Sequence, residues 1–217
     1  MADVLEHGAI AFVYRPRVET FVARELDDVQ AFFVLLAPRD GERVRRVRVG
    51  RKRLPDSGRR ERFWAYVDRV GHNAPDLVAD LAPDRYWTKT RGLRHQPGAR
   101  AAGHGAYALA RHRDHVHLAY ALVAGGGEVQ DELRIAPRAS YIVATFASSV
   151  AETSEGERRF VPLRPAHLDL PGAELVLIAA RTGVDPELAA VLDRQAATAA
   201  SLLDDLDAGL DPARPYP

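Results

Sequence analysis

The residues whose chemistry is easiest to name are three closely spaced histidines, His112, His115 and His117. If Arg113-Asp114 is a two-residue turn, the flanking segments form a hairpin in which Leu109 faces Leu118 and Tyr107 faces Tyr120. That apolar face fixes the register. His112 then faces His115, and His117 faces Ala110, all on the opposite face. Cross-strand neighbours lie ~5 Å apart and i, i+2 neighbours ~6.5–7 Å apart. Three imidazoles at that spacing could share a divalent metal at Zn–N distances of ~2.1 Å, with Asp114 or His104 completing the set. No longer metalloenzyme motif surrounds them, and a solvated polar sheet face explains the same residues.

A second constellation is basic. Between Arg39 and Arg62 cations crowd the chain, and Gly50-Arg51-Lys52-Arg53-Leu54-Pro55 concentrates them in a connection between elements. Arg45, Arg46, Arg48, Arg51, Lys52 and Arg53 are the candidate phosphate contacts. Tyr86-Trp87, just ahead of a cationic segment, makes Trp87 a candidate stacking surface for a base. No helix-turn-helix, RNP, KH or zinc-finger pattern accompanies them. An arginine-laced solvated face, or one that pairs with the chain's own acids, would have the same composition.

Composition removes other chemistries. The 217 residues include no cysteine, which excludes disulfides, thiolate nucleophiles and thiolate metal sites. No Walker loop, dinucleotide-binding glycine motif, nucleophile elbow or His-Glu-x-x-His is present. The chain starts Met1-Ala2-Asp3-Val4-Leu5-Glu6, acidic where a signal peptide needs a basic start, and no later stretch approaches ~20 apolar residues. The expectation is a cytoplasmic protein with no membrane partner. Net charge is zero, but basic groups predominate up to residue 117 and acidic groups after it. Lys52 and Lys89 are the only lysines, an arginine bias that bacterial genome composition also produces.

The elements that must position these residues follow from periodicity. Ala9–Tyr14, Val29–Leu36, Val44–Val49, Gly105–Arg111, His115–Val123, Ser140–Thr145 and Glu174–Ala179 read as strands. A bulge at Arg45-Arg46 would place Val44, Val47 and Val49 inward. Phe63, Trp64, Val67 and Val70 recur at helical spacing after Asp56-Ser57, predicting a helix over 58–70. Asp185-Pro186 opens a long C-terminal helix ending near Gly209. Asp204, Asp205 and Asp207 crowd its last turn, where the helix dipole disfavours anions. The expected fold is therefore α+β, mainly antiparallel sheet from two related strand-pair units, with one packed helix and a long C-terminal helix.

The two units are a candidate internal duplication, 7–50 and 104–147. His7-Gly8-Ala9-Ile10-Ala11 aligns with His104-Gly105-Ala106-Tyr107-Ala108, and Asp27–Ala37 aligns with Asp114–Ala124. Arg15, Asp28 and Gln30 would then stand where the second copy has its three histidines. The division reads as a core over 1–147, a mobile linker or loop over 148–158, and a final strand and helix over 159–217.

Tyr14-Arg15-Pro16-Arg17-Val18, Asp27-Asp28-Val29-Gln30, Gly50–Pro55 and His117-Leu118-Ala119-Tyr120 resemble a group of uncharacterised bacterial proteins over roughly residues 8–180. The resemblance implies a bacterial origin and carries no activity or site residue. The leading expectation is a module binding nucleic acid or another phosphate-bearing ligand. The alternatives are a metal-dependent hydrolase using the histidines and an assembly component that self-associates through its C-terminal helix. Whether the chain is an enzyme stays open. No cofactor is predicted apart from the divalent metal that the histidines would hold.

Overall fold

The computed structural model describes residues 3–125, 128–151, 159–180 and 184–196. Eight strands form a closed antiparallel barrel. They are β1 (Asp3–Pro16), β2 (Val29–Pro38), β3 (Val44–Val49), β4 (Arg62–Gly71), β7 (Arg100–His112), β8 (His115–Gly125), β9 (Arg138–Phe146) and β11 (Glu174–Ala179). Around the wall the order is β1-β2-β3-β4-β11-β9-β8-β7, and β7 pairs back onto β1. The β8–β9 pairing, Val116 opposite Val143 through Ala121 opposite Arg138, makes the ring continuous. Closure leaves no open edge in the wall. Outside it lie the short β10 (Phe160–Pro162) on β9 and a separate hairpin, β5 (Asp84–Thr88) with β6 (Gly92–Gln96).

This architecture overturns the expected α+β fold in two places. Residues 58–70 are not a helix: most of them belong to β4, whose Phe63, Ala65 and Val67 are buried while Arg62 and Trp64 face outward. The helical spacing of Phe63, Trp64, Val67 and Val70 arose because a register shift opposite Arg46-Val47 leaves Asp68 unpaired, bringing Val70 back toward the inner cluster. The segment is needed as the strand between β3 and β11. No long C-terminal helix appears among the described residues either. There, after the five-residue helices α1 (Ala74–Val78) and α2 (Glu128–Glu132), the last helix, α3, covers Pro186–Ala196, and the expected continuation to Gly209 with its acidic last turn lies outside them.

Side chains from all eight wall strands fill the barrel. Phe12 stacks on Phe32 and meets Tyr120 edge-on at 4.9 Å, and Tyr120 stacks on Tyr141. A residual gap of about 20 Å³ among Val34, Leu109, Leu118 and Leu175 is apolar throughout, so the interior is a packed core and not a ligand chamber. Two outer faces carry further layers. The short helix α1 (Ala74–Val78) and the turn after it cover Ala11, Val13, Phe33 and Leu35. Leu188 and Leu192 of α3 sit on alanines 106, 108, 110, 119 and 121 of β7 and β8. The apolar stripe proposed for self-association is thus used within the chain over 186–196.

The strand pairs proposed as a duplication form the neighbouring hairpins β1–β2 and β7–β8. Gly8 and Gly105, which the alignment matches, both lie against the adjacent strand so closely that a Cβ would fall 2.1 Å from the carbonyl oxygen of Ala37 and 1.9 Å from that of Ala121. Further along, matched residues face opposite sides. Phe33 packs outside under α1, whereas its counterpart Tyr120 is inside. Most of the proposed linker, residues 152–158, lies outside the described residues. Before it, residues 147–150 form a short 3₁₀ turn.

Candidate functional site

The arginine tract is largely committed to the fold. The register shift on β4 lets Val44 pack outside with the α1 layer, so Arg45, and not Val44, shares the inward face with Val47 and Val49. Arg45 is 4% exposed. Its Nη1 donates to both oxygens of Glu6 at 2.6 and 2.8 Å, and its Nε donates to Asp169 at 2.8 Å. The Tyr107 hydroxyl also donates to Glu6, at 2.7 Å. Burial opposes the Arg45 charge, but the bonds to Asp169 and Glu6 outweigh it and hold the guanidinium above its ordinary pKa. Burial, followed by the charge of Glu6, pushes the Tyr107 phenol up.

The neighbouring cations are similarly engaged. Arg46 points outward beneath α1, donating to Asp68 at 2.6 Å, to Asp80 at 2.7 and 3.0 Å and to the Leu77 carbonyl, with its guanidinium 4.9 Å from the Phe33 ring. Arg48 approaches the same ring at 5.9 Å. Lys52 donates to the Val29 carbonyl at 2.7 Å. Arg53 forms a fork with Glu61 at 2.7 and 2.9 Å over the Phe63 ring, and that bond holds the Glu61 carboxyl down at about 2. Arg51 is exposed. Of the six cations expected to contact phosphate, Arg45, Arg46 and Arg53 are thus bonded to carboxylates and Lys52 to a backbone carbonyl, Arg48 lies near an aromatic ring, and Trp87 belongs to a different sheet.

That second sheet is a cationic arm. The cationic segment after Tyr86-Trp87, residues 88–104, has the glycine- and proline-rich composition of a loop, yet Asp84–Thr88 and Gly92–Gln96 pair in register, with Gly92 at φ 69° completing the turn. Trp87 faces Leu93 and Arg85 faces His95, which puts these four on one side, with Tyr86 and Arg94 on the other. Trp87 is 75% exposed, Leu93 50% and Tyr86 40%. Phe21, also exposed, meets the His95 ring edge-on at 6.4 Å and extends the apolar side. Arg85, Lys89 and Arg91 are exposed around it, and Asp84 is the only acid between 84 and 100. The arm is tied down at its base: His95 donates its amide N–H to Glu19 at 2.8 Å, Gln96 donates to the Pro16 carbonyl at 2.9 Å, and Arg94 lies 3.6 Å from Glu19. Alternation over Arg85, Trp87, Leu93 and His95 was the available sequence signal, masked by the glycine and proline that follow.

The histidine cluster forms as the hairpin register requires. Tyr107 pairs with Tyr120, Leu109 with Leu118, Ala110 with His117 and His112 with His115. The rings of His112 and His115 are 5.4 Å apart, those of His115 and His117 4.8 Å, and those of His112 and His117 6.2 Å. Nδ1 of His115 bonds Asp114 at 3.0 Å, and Nδ1 of His117 bonds the Ser140 hydroxyl on β9 at 2.9 Å. Burial, then the two neighbouring imidazoles, lower the pKa of His117. His104 does not join them, because it pairs with Ala11 and Ala124 eight positions earlier along β7. Among the described residues no group of three His, Asp or Glu side chains, the three histidines included, is placed so that it could hold a metal ion as it stands.

A surface recess of about 460 Å³ lies among Asp56, Gln130, Arg134, Arg138 and Tyr141. It mixes both signs of charge, and Arg138 is held by Asp193 of α3 at 2.6 Å. Comparison with protein-family models, with curated proteins and with solved structures finds no match to this chain.

Proposed function

We propose that the protein binds single-stranded nucleic acid through the β5–β6 arm, with Trp87 as the stacking surface and Arg85, Lys89 and Arg91 as the phosphate contacts. The observation that carries this reading is the exposure of Trp87, 75% free on a hairpin outside the barrel with exposed cations on both sides of it in the chain. A tryptophan placed there contributes little to the core. A base stacked on it gains ~1–3 kcal/mol, and cations that follow a backbone add salt-dependent affinity. Unpaired bases are the required partner, because a duplex hides their faces. The expected phosphate-binding role is thereby moved from the arginine tract, where the guanidinium groups of Arg45, Arg46 and Arg53 are engaged by carboxylates, to the arm.

Titration of tryptophan fluorescence with a single-stranded oligonucleotide tests it. Quenching should be lost in Trp87→Ala, with affinity falling roughly 5- to 150-fold, the equivalent of one stacked base. Affinity should also fall steeply with salt. A salt-independent affinity, or binding unchanged in Trp87→Ala combined with Arg85, Lys89 and Arg91→Ala, removes the reading.

A further inference from the structure

We infer that His112, His115 and His117 form a binding site for one divalent transition-metal ion at the tip of the β7–β8 hairpin, independent of the arm. A ligating nitrogen at ~2.1 Å places an imidazole centre about 3.3 Å from the ion, so three rings around one ion at 90–120° have centres roughly 4.7–5.7 Å apart. The observed 4.8 and 5.4 Å fall within that range, and the 6.2 Å between His112 and His117 exceeds it by about half an ångström. His112 is exposed, so turning its side chain closes the gap without disturbing the wall.

The second layer of contacts has the form such a site needs. Metal-binding histidines commonly use one ring nitrogen for the ion and the other for a carboxylate or hydroxyl that fixes the ring. Asp114 holds Nδ1 of His115, and Ser140 holds Nδ1 of His117, which leaves Nε2 of each ring for the ion. Three neutral imidazoles without a thiolate suit Zn(II), Ni(II), Co(II) or Cu(II), and a fourth position stays open to water. Two of the rings come from one strand and the third from its hairpin partner, so the backbone ladder sets where the three are attached, and the His112 side chain is the one that has to turn.

Isothermal titration of the untagged full-length chain with Zn(II) and with Ni(II) tests the site. One equivalent should bind, about 100-fold more weakly in the triple variant His112→Ala/His115→Ala/His117→Ala. Asp114→Asn should cost roughly 10-fold, the lower end of second-layer effects. Cobalt(II) should give visible absorption bands that His112→Ala, a change at an exposed position compatible with folding, abolishes. No binding to the native chain, or equal binding by the triple variant with its far-ultraviolet circular dichroism unchanged, overturns the inference. Should the triple variant unfold, cobalt bands that persist in folded His112→Ala overturn it equally.

Discussion

Glu6 of β1 and Arg45 of β3 meet inside the barrel at 2.6 Å although their strands are not neighbours, β2 lying between them. Asp169, from the 3₁₀ turn before β11, closes on the same guanidinium, and Tyr107 on the same carboxylate. Four segments far apart in the chain are thus tied by one buried charge. Truncating a buried partner strands the other charge and costs about 3–5 kcal/mol. Arg45→Met should destabilise by that amount in urea unfolding, and the double variant Glu6→Gln/Arg45→Met should recover part of the loss.

Close backbone contact at two glycines makes a second prediction. Gly105→Ala would press a methyl group against the Ala121 carbonyl, and Gly8→Ala would do the same at Ala37. Each should cost at least ~1–3 kcal/mol, the usual range for overpacking. Thermal melts of the two variants check this. Gly103→Ala, whose nearest contacts are ordinary at 3.5 Å, should be milder.

Stability should respond to pH in two separate windows. Burial lowers the pKa of His117 and of His167, so the unfolded chain takes up protons there first. Their contribution is complete above about pH 6.5 and is lost as pH falls below it. Glu61 behaves as a carboxylate stabilised in its charged form: its contribution is present above the ordinary carboxylate range near pH 4.5 and lost as pH falls toward about 2. Urea midpoints measured from pH 8 to pH 3 should show both declines. His167→Gln should flatten the first, and Glu61→Gln the second.

Exposure separates the two tryptophans. Trp87→Ala should change unfolding free energy by less than about 0.5 kcal/mol, as surface substitutions usually do. Trp64, with its ring 4.4 Å from Phe146 and 6.1 Å from Phe160, should cost more when replaced by alanine. A large loss of stability in Trp87→Ala, seen in chemical denaturation, would mean that the arm packs as part of the core.

The sequence was most informative where local rules decide the geometry. A two-residue turn at Arg113-Asp114 and the facing pairs Tyr107–Tyr120 and Leu109–Leu118 were sufficient to place three imidazoles together, and all seven segments read as strands lie in strands. It failed where distant partners decide. Nothing near Arg45 indicates a buried charge, because Glu6 and Asp169 lie 39 and 124 residues away. β4 fits both a helical and an alternating period over eight residues, and only the need for a strand between β3 and β11 resolves it. The arm was hidden because glycine and proline made a short hairpin look like a loop.

The filled interior bears on how the two outer sites relate. The arm joins the start of β7 at Arg100, and the histidine hairpin begins at its end, His112, 12 residues on, a span of about 40 Å. Between them lies a packed wall whose interior gap of about 20 Å³ is too small for a ligand. Coupling between sites needs an element with two states that both sites bias. With the wall kept in this one arrangement, occupancy of either proposed site should leave affinity at the other unchanged, so that the two proposed binding functions could be gained or lost separately.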